Sequence, residues 1–227
     1  MKRLGILSTA GVFLLTLVVT PLSAQESKPT GVSTKYDTSA LDSSGLLFGT
    51  ERFEWQRPDR IMGLLAIRQG EKVADIGAGL GYFSDNLSQI VGESGQVYAV
   101  ETNPEMVDFL KMRNARHTYD NTVVVQGSET DPGLPSGSLD LVLTVNTWHK
   151  LSDRGPLREA VRTALKPGGR FVVVDWHLGE IPIAPPVETR LSPTVLIDEM
   201  VANGWTVTTN SRMLKYQYLL IFTAPTP

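Results

Sequence analysis

Apolar residues from position 57 onward follow two alternating patterns. Stretches with an apolar residue every third or fourth position predict helices over 57–70, 82–91, 103–112, 155–165 and 192–204. Between them lie short, nearly continuous apolar runs, which predict strands over 72–76, 96–100, 122–125, 138–145, 170–174, 205–210 and 217–223. Buried strands that alternate with helices are typical of a parallel sheet covered on both faces. The last two strands are close enough along the chain to pair as a hairpin. The pattern therefore predicts one α/β domain with five parallel strands and a terminal reversal.

The first 24 residues have the pattern of an export signal. Lys2 and Arg3 precede an apolar stretch over 4–20, and Ala24 offers a small residue before a cut at Gln25. An uncleaved N-terminal membrane anchor is the alternative, because about 17 apolar residues is the shortest stretch that spans a bilayer. Either interpretation places the rest of the chain outside the cytoplasm. The expected location is periplasmic or secreted, or outside the cytoplasm on an inner-membrane anchor.

The next segment differs from both its neighbours in composition. Residues 25–46 are rich in Ser, Thr, Asp and Gly and hold few large apolar residues. Such a segment buries too little surface to offset the entropy of ordering, so we predict a flexible linker there. The folded domain is predicted to cover 47–227.

Composition excludes several classes of site and partner. The 227 residues include no cysteine and three histidines, which removes a disulfide framework, a thiolate zinc site and a cysteine nucleophile, and leaves little for a metal centre. The formal net charge is −3 without a basic block, which argues against a nucleic-acid partner. We expect a small-molecule substrate, no metal, and contact with a membrane only through the N-terminal segment.

A glycine-rich loop directly follows the first predicted strand. Gly77, Gly79 and Gly81 alternate with other residues, and Asp75 ends the strand before them. Glycines at this point let the backbone approach a ligand closely and present N–H groups to it. A nicotinamide dehydrogenase would need its third glycine where Tyr82 stands. The acid before the loop would repel a pyrophosphate, so a ligand with a cationic amine fits better.

An acidic residue ends the second predicted strand. Glu101 lies 20 residues beyond Gly81, where open α/β sheets often bind ribose hydroxyls through a carboxylate. The other interpretations of Glu101 are a solvated charge at the strand end and a cap for the helix that starts at Asn103.

Four stretches together resemble a known family. The runs VADIGAGLGYF, VYAVE, LPSGSLDLV and LKPGGRFVVVD resemble the class I S-adenosylmethionine-dependent methyltransferases, over about residues 47–223. The beginning ERFEWQRPDRI and the ending YQYLLIF are similar to a subgroup of small exported bacterial methyltransferases without an assigned substrate. The resemblance implies a Rossmann-like seven-stranded sheet of order 3-2-1-4-5-7-6, strand 7 antiparallel, with helices on both faces. It also implies S-adenosyl-L-methionine as cofactor.

The resemblance further implies which residues bind that cofactor. Asp75 would contact the amino group of the methionine moiety, the glycine loop would pass beneath it, and Glu101 would bind the ribose. Ser128 and Glu129 fall where the family places an acid that reads the adenine amino group, although Gly-Ser-Glu here replaces the family's Gly-Asp. The implied cofactor-binding set is Asp75, Gly77, Ala78, Gly79, Gly81, Glu101, Thr102, Ser128, Glu129 and Asn146. In this set Thr102 borders the adenine and Asn146 lines the methyl-transfer cleft.

Methyl transfer from a sulfonium needs a base only if the acceptor must lose a proton. His149 follows the fourth strand at the carboxyl edge of the sheet, where α/β sheets bind ligands, and is the candidate catalytic base. The alternative is that His149 caps a helix after that strand. Asp175 and His177 either line the same opening or are polar residues at a strand end. His117 is predicted to be a surface residue at a helix end.

Aromatic and proline residues suggest how the opening is built. Trp55, Trp148 and Trp176 either form an aromatic wall over the acceptor or belong to the core. The proline-rich run 181–186 predicts a stiff extended loop, near the acceptor opening or as a plain crossover connection. The leading hypothesis is methyl transfer to a small molecule or an exposed protein group. A non-catalytic protein that binds S-adenosyl compounds or nucleosides is the alternative.

Overall fold

The structure is a computed structural model that describes residues 50–115 and 120–225, with the backbone alone for residues 50 and 51. The predicted signal peptide 1–24, the predicted linker 25–46, the predicted domain start at 47 and His117 lie outside the described residues. Within the described ranges, no helix is both long and apolar enough to cross a bilayer. No group of three or more His, Cys, Asp or Glu side chains in the same ranges is placed to hold a metal ion.

Helices and strands alternate along the described chain. The helices are α1 (Thr50–Gln56), α2 (Pro58–Leu65), α3 (Tyr82–Val91), α4 (Pro104–Asn114), α5 (Gly155–Ala164) and α6 (Pro193–Ala202). The strands are β1 (Lys72–Ile76), β2 (Gln96–Glu101), β3 (Thr122–Gln126), β4 (Leu139–Val145), β5 (Leu165–Trp176), β6 (Thr206–Ser211) and β7 (Gln217–Thr223). Two single 3₁₀ turns cover Trp148–Lys150 and Val187–Thr189.

The strands form one sheet of order β3-β2-β1-β4-β5-β7-β6. The pairs from β3 to β5 are parallel, whereas β7 runs antiparallel to both β5 and β6. The predicted order, the terminal reversal and the α/β class are therefore confirmed.

The core has two layers because alternate residues of each central strand face opposite sides of the sheet. Phe171 and Val173 of β5 pack with α5 and α6 on one face. Val172 and Val174 pack with α2 and α3 on the other face. All four side chains are fully buried, which explains why positions 171–174 form a continuous apolar run.

The observed elements differ from the predicted ones at two helices and one strand, since β5 begins at Leu165, five residues before the start of the strand predicted over 170–174. The helix predicted over 57–70 ends at Leu65, because Ala66 adopts a left-handed backbone with φ of +46°. Helix α1 was not predicted. Its buried positions include the polar residues Arg52 and Gln56, while Phe53 is 53% exposed, so its pattern is the inverse of an ordinary surface helix.

Candidate cofactor and active site

Most of the predicted site residues meet at one edge of the sheet. Asp75 lies near the carboxyl end of β1, Glu101 ends β2, Asn146 follows β4, and Asp175 lies near the end of β5. Parallel strands bring their carboxyl ends to the same edge, and the strand order changes direction between β1 and β4. Open α/β sheets bind ligands at this switch point.

The glycine loop between β1 and α3 has a backbone that only glycine adopts readily. Gly77, Gly79 and Gly81 have φ values of +78°, +57° and +86°. A Cβ atom on Gly77 would lie 2.2 Å from Thr147 Oγ1, and one on Gly81 would lie 2.9 Å from Leu110 Cδ2. A Cβ atom on Gly79 would meet no described heavy atom within 4 Å. The loop is thus packed at both ends and open at Gly79.

The N–H groups of this loop are directed into the protein. Gly77 and Ala78 donate to the carbonyl oxygen of Val100 at 2.9 and 3.0 Å, and Gly81 donates to Ala78 at 2.9 Å. Gly79 donates to Glu101 Oε2 at 2.8 Å. The expectation that the loop presents these N–H groups to a ligand is wrong, because β2 already accepts three of them. What the loop offers instead is a surface without side chains at Gly79.

Glu101 is fixed by backbone donors on both of its oxygens. Its Oε1 accepts from the N–H groups of Thr102 and Asn103 at 2.8 and 3.0 Å, while Oε2 accepts from Gly79. The residue is 8% exposed, so the interpretation as a solvated charge is wrong. It does not cap α4 either, since Asn103 Oδ1 accepts from the N–H of Glu105 at 2.8 Å. Ribose binding by Glu101 stays a prediction.

We expect Glu101→Ala to weaken S-adenosylhomocysteine binding by about 10- to 150-fold, the loss of charge-assisted hydrogen bonds worth about 1.5–3 kcal/mol. The unliganded protein should also lose about 1–3 kcal/mol of stability, because three partly buried N–H groups lose their acceptor. Calorimetric titration and a melting curve measure the two effects. Glu105→Ala, an exposed acid in the next helix, is the control. Unchanged affinity in Glu101→Ala would show that the carboxylate serves only the loop.

Asp75 is buried beneath the same edge. Its Oδ2 accepts from Ser84 Oγ at 2.7 Å. Burial raises the pKa of this carboxyl to about 6, partly opposed by the Ser84 hydrogen bond and the positive charge of Arg52. Near neutral pH the group is therefore an anion in a poorly solvated place, which suits it to a cationic amine. Its contact with the cofactor's amino group stays a prediction.

The raised pKa of Asp75 gives two opposite pH dependences. A ligand ammonium binds the ionised form, so affinity for S-adenosylhomocysteine should fall roughly tenfold per unit below pH 6. The unliganded protein behaves conversely. Its folded state binds the Asp75 proton more tightly than the unfolded chain does. The stability that this difference contributes is present below pH 4 and is lost as pH rises through about 6.

Calorimetric titrations and melting curves from pH 4.5 to 8 measure both dependences. Asp75→Asn, which has no charge to titrate, should flatten both of them. An affinity in the wild-type protein that does not change between pH 5 and 7 would contradict the predicted contact with the amino group.

Helix α1 adds a buried cation to this edge that was not predicted. The guanidinium of Arg52 lies 4.0 Å from the ring centroid of Tyr82, the first residue of α3. Its Nε donates to Gln56 Oε1 at 2.5 Å. Burial lowers the pKa of Arg52 to about 10, so the group is still protonated at neutral pH. In the sequence this helix corresponds to the run ERFEWQR, which is mostly polar and lacks apolar residues at helical spacing.

The predicted adenine contacts lie farther along the edge, beyond β2. Thr102, Ser128 and Glu129 are exposed. The Ser128 hydroxyl accepts from the N–H of Asp131 at 2.9 Å and so closes the turn after β3. Glu129 is then the better placed of the two to meet an adenine amino group, and its role stays a prediction.

His149 and Asp175 form a hydrogen-bonded pair. His149 Nδ1 lies 2.7 Å from Asp175 Oδ1, and the backbone N–H of His149 donates to Asp175 Oδ2 at 3.0 Å. The imidazole lies in the 3₁₀ turn after β4 and caps no helix, so the capping interpretation is wrong. Its side chain is 4% exposed. The contact with Asp175 leaves Nε2 as the ring nitrogen that can accept a proton.

The pair approaches the edge from the face opposite Asp75. Asp75 shares its face with Val73 and α3, whereas Asp175 shares its face with Val173 and α5. His177 lies apart from the pair. Its backbone N–H donates to the carbonyl oxygen of Tyr216 at 3.0 Å. Burial lowers the pKa of its imidazole. The structure supports the interpretation of His177 as a polar residue at a strand end.

Two of the three candidate tryptophans lie together at the edge. Trp55 of α1 stacks on Trp176 with ring centroids 5.4 Å apart, and Tyr216 lies 6.4 Å from Trp55. Trp148 is fully buried and packs against Phe171, so it belongs to the core and not to a wall over the acceptor.

The proline-rich run 181–186 forms neither helix nor strand, as predicted. Arg190 holds the loop that contains it, donating to the carbonyl oxygens of His177, Gly179 and Pro185 at 2.6–3.0 Å. The loop is therefore tied to the end of β5.

Comparisons with known proteins relate this chain to methyltransferases. The sequence profile of a methyltransferase domain matches residues 74–173. A protein-L-isoaspartate O-methyltransferase from Methanothrix thermoacetophila is 33% identical over 48% of this chain and 50% of its own. The ubiquinone/menaquinone biosynthesis C-methyltransferase UbiE from Haemophilus ducreyi is 31% identical over 64% of this chain and 54% of its own. The chain spans about half the length of these curated relatives.

Solved structures extend the likeness to the whole fold. A SAM-dependent methyltransferase from Aquifex aeolicus has a TM-score of 0.74 and 27% identity, over 83% of this chain and 98% of its own. The glycopeptide N-methyltransferase MtfA, solved with S-adenosyl-L-methionine, has a TM-score of 0.60 and 18% identity, over 73% of this chain and 92% of its own. The second likeness concerns the fold alone.

Proposed function

This chain belongs to the class I S-adenosylmethionine-dependent methyltransferases, and we propose that it transfers a methyl group to a small molecule or an exposed protein group. One observation carries the proposal. Asp75 and Glu101 are held at the ends of neighbouring strands on either side of a glycine loop that is open at Gly79. This arrangement matches a ligand with an ammonium group at one end and a ribose at the other.

The residues at the edge fit S-adenosyl-L-methionine. Asp75 supplies an anion for the ammonium group, Glu101 supplies a fixed acceptor for ribose hydroxyls, and Gly79 leaves room between them. In the proposal, Thr102 and Glu129 contact the adenine. When bound, S-adenosylmethionine supplies a methyl group on a positively charged sulfur.

The chain's own contribution is positioning and the exclusion of water. Both carboxylates are held by hydrogen bonds before a ligand arrives, so they need no reorganisation to bind it. An in-line displacement depends on such fixed geometry and on a dry pocket. In our proposal His149 Nε2 takes the acceptor's proton, and Asp175 holds the imidazole and stabilises its protonated form.

The test has two stages. Calorimetric titration with S-adenosylmethionine, S-adenosylhomocysteine and NAD should show binding of the first two only. A panel of phenols, amines, thiols and carboxylic acids is then incubated with a tritiated methyl donor, and transfer to at least one class is expected. Binding of NAD in preference to the S-adenosyl compounds would overturn the proposal.

A second candidate is a protein that binds S-adenosyl compounds without turnover. The observation that favours it is the 4% exposure of the His149 side chain, since a base must reach the acceptor. Tight binding without transfer to any member of the panel would select this candidate. We propose no nucleic-acid partner, in keeping with the net charge of −3.

We also propose that the protein is exported, with 1–24 as signal peptide, 25–46 as linker and 47–227 as the methyltransferase domain. The pattern of Lys2, Arg3 and the apolar stretch 4–20 supports this. Mass spectrometry of the protein from its native host should find Gln25 as the first residue. A chain that begins at Met1 in the cytosol would contradict export, whereas Met1 in the membrane fraction would indicate an anchor.

A further inference from the structure

A row of four polar side chains crosses the site from α1 to the end of β4. Arg52 Nε donates to Gln56 Oε1 at 2.5 Å, and Gln56 Nε2 donates to Gln217 Oε1 at 3.2 Å. Gln217 Nε2 donates in turn to Asn146 Oδ1 at 2.5 Å. We call Arg52, Gln56, Gln217 and Asn146 the amide relay. It joins α1, β7 and β4, three elements that are far apart along the chain.

The chemistry of Arg52 fixes the direction of the whole relay. A guanidinium has only donors, so Gln56 must turn its oxygen toward Arg52 and its NH₂ group toward Gln217. The same reasoning at each step turns the oxygen of Gln217 toward Gln56 and the oxygen of Asn146 toward Gln217. The NH₂ group of Asn146 therefore points away from the relay. This assignment follows from the network of bonds, which is how amide orientations are decided.

Asn146 stands at the point where the strand order changes direction. Its backbone is left-handed, with φ of +55°, which is uncommon for a residue other than glycine. Its N–H donates to Val174 of β5, and the next residue, Thr147, packs against Gly77 of the cofactor loop. Left-handed residues other than glycine persist where their surroundings hold them, often at functional sites. Here the relay is one of those constraints.

We propose that the amide relay holds Asn146 as a hydrogen-bond donor toward the methyl acceptor, so that the enzyme recognises an acceptor through an oxygen lone pair near the methylated atom. This inference rests on the proposed function, whose substrate class it narrows. An analogue without the oxygen leaves the fixed donor unpaired in the complex, so such a site rejects it far better than an apolar site would. The fitting acceptors are hydroxyl, carbonyl or carboxylate compounds.

The first test changes the donor at the end of the relay. For an acceptor found in the panel, Asn146→Asp should raise the KM for that acceptor by about 10- to 100-fold, because a carboxylate repels an oxygen lone pair. The family resemblance places Asn146 in the methyl-transfer cleft, and in this inference its NH₂ group points to the acceptor and not to the cofactor, so affinity for S-adenosylhomocysteine should stay within threefold. In the wild-type protein, replacing the acceptor's oxygen by a CH₂ group should reduce kcat/KM by a similar factor. In Asn146→Ala, the acceptor and its CH₂ analogue should have equally low kcat/KM values.

The second test reverses the relay from a distance. Gln56→Glu still accepts from Arg52 but also accepts from Gln217 Nε2, so Gln217 must turn its oxygen toward Asn146. The Asn146 oxygen then faces the acceptor. The acceptor's KM should rise in the same sense as in Asn146→Asp, and Gln56→Leu, which breaks the relay without reversing it, should have a smaller effect.

Side-chain amide signals test the reversal without an acceptor. In ¹⁵N-labelled protein, the Asn146 amide pair is identified by its disappearance in Asn146→Asp. Gln56→Glu should shift it downfield as it gains the bond to Gln217. An unchanged Asn146 pair would overturn the relay, even if no acceptor is ever found.

The remaining outcomes separate this inference from the proposed function. Methyl transfer with an unchanged KM in Asn146→Asp would overturn the inference and leave the function standing. A loss of S-adenosylhomocysteine affinity in Asn146→Asp would also overturn it, because the donor would then face the cofactor. Absence of any transfer, with the relay reversed as expected, would count against the function alone.

Discussion

Replacing His149 by alanine is expected to lower the single-turnover rate about 10²- to 10⁴-fold, the usual contribution of a general base. Affinity for S-adenosylhomocysteine should stay within a few-fold, because the two carboxylates predicted to hold the cofactor, Asp75 and Glu101, lie on β1 and β2. The rate is measured with a tritiated methyl donor and an acceptor from the panel. The effect should be large only for acceptors that lose a proton.

The partner of His149 offers a matched variant. Asp175→Asn keeps the size of the side chain but removes the charge that stabilises a protonated imidazole. It should therefore reduce the rate in the same sense as His149→Ala, and it should do so without affecting S-adenosylhomocysteine binding. Both variants should also lose about 1–3 kcal/mol of stability, since each breaks a buried hydrogen bond.

A melting curve on the same samples separates catalysis from structure. One outcome is that the stability of His149→Ala falls while its rate per folded molecule is unchanged. The buried pair is then a structural link between the turn after β4 and the end of β5, and His149 has no catalytic role.

Gly79→Val is expected to abolish cofactor binding, with a loss in S-adenosylhomocysteine affinity of more than about 100-fold. The Cβ position at Gly79 is open, so an added side chain would occupy the space that the proposal assigns to the ligand. The left-handed backbone adds strain of about 1–3 kcal/mol in either state. Calorimetry measures the affinity and a melting curve measures the strain.

Gly137 provides a control with nearly the same backbone. Its φ is +56°, against +57° at Gly79, and its Cβ position is equally open among the described residues. It precedes β4, at the edge of the sheet opposite the site. Gly137→Val should therefore show the same strain with normal binding. If both variants bind S-adenosylhomocysteine as the wild-type protein does, the glycine loop does not form the cofactor site.

The fold was largely predictable because the central strands are buried on both faces. A run such as 171–174 is apolar throughout because both faces of the sheet bury it, and the helices between the runs have ordinary apolar faces. Helix α1 escaped the same reasoning, since it buries Arg52 and Gln56 and exposes Phe53. Apolar periodicity cannot detect a helix whose buried side chains are polar.

The site residues were predictable where a charged side chain lies at the end of a strand. Asp75 and Glu101 were found in this way. The bond between His149 and Asp175 was not, because it joins residues 26 positions apart whose meeting depends on the pairing of β4 with β5. The direction of the loop's N–H groups was predicted wrongly, because the sequence does not reveal that the carbonyl of Val100 and the carboxylate of Glu101 already accept them.

The internal bonds of the glycine loop have a consequence for how the protein matures. Gly77, Ala78, Gly79 and Gly81 satisfy their N–H groups without a ligand, so these four groups carry no desolvation penalty in its absence. Folding then needs no methyl donor as a template, unlike that of proteins whose metal or cofactor completes the core. Such a chain can reach its native state first and bind its cofactor afterwards.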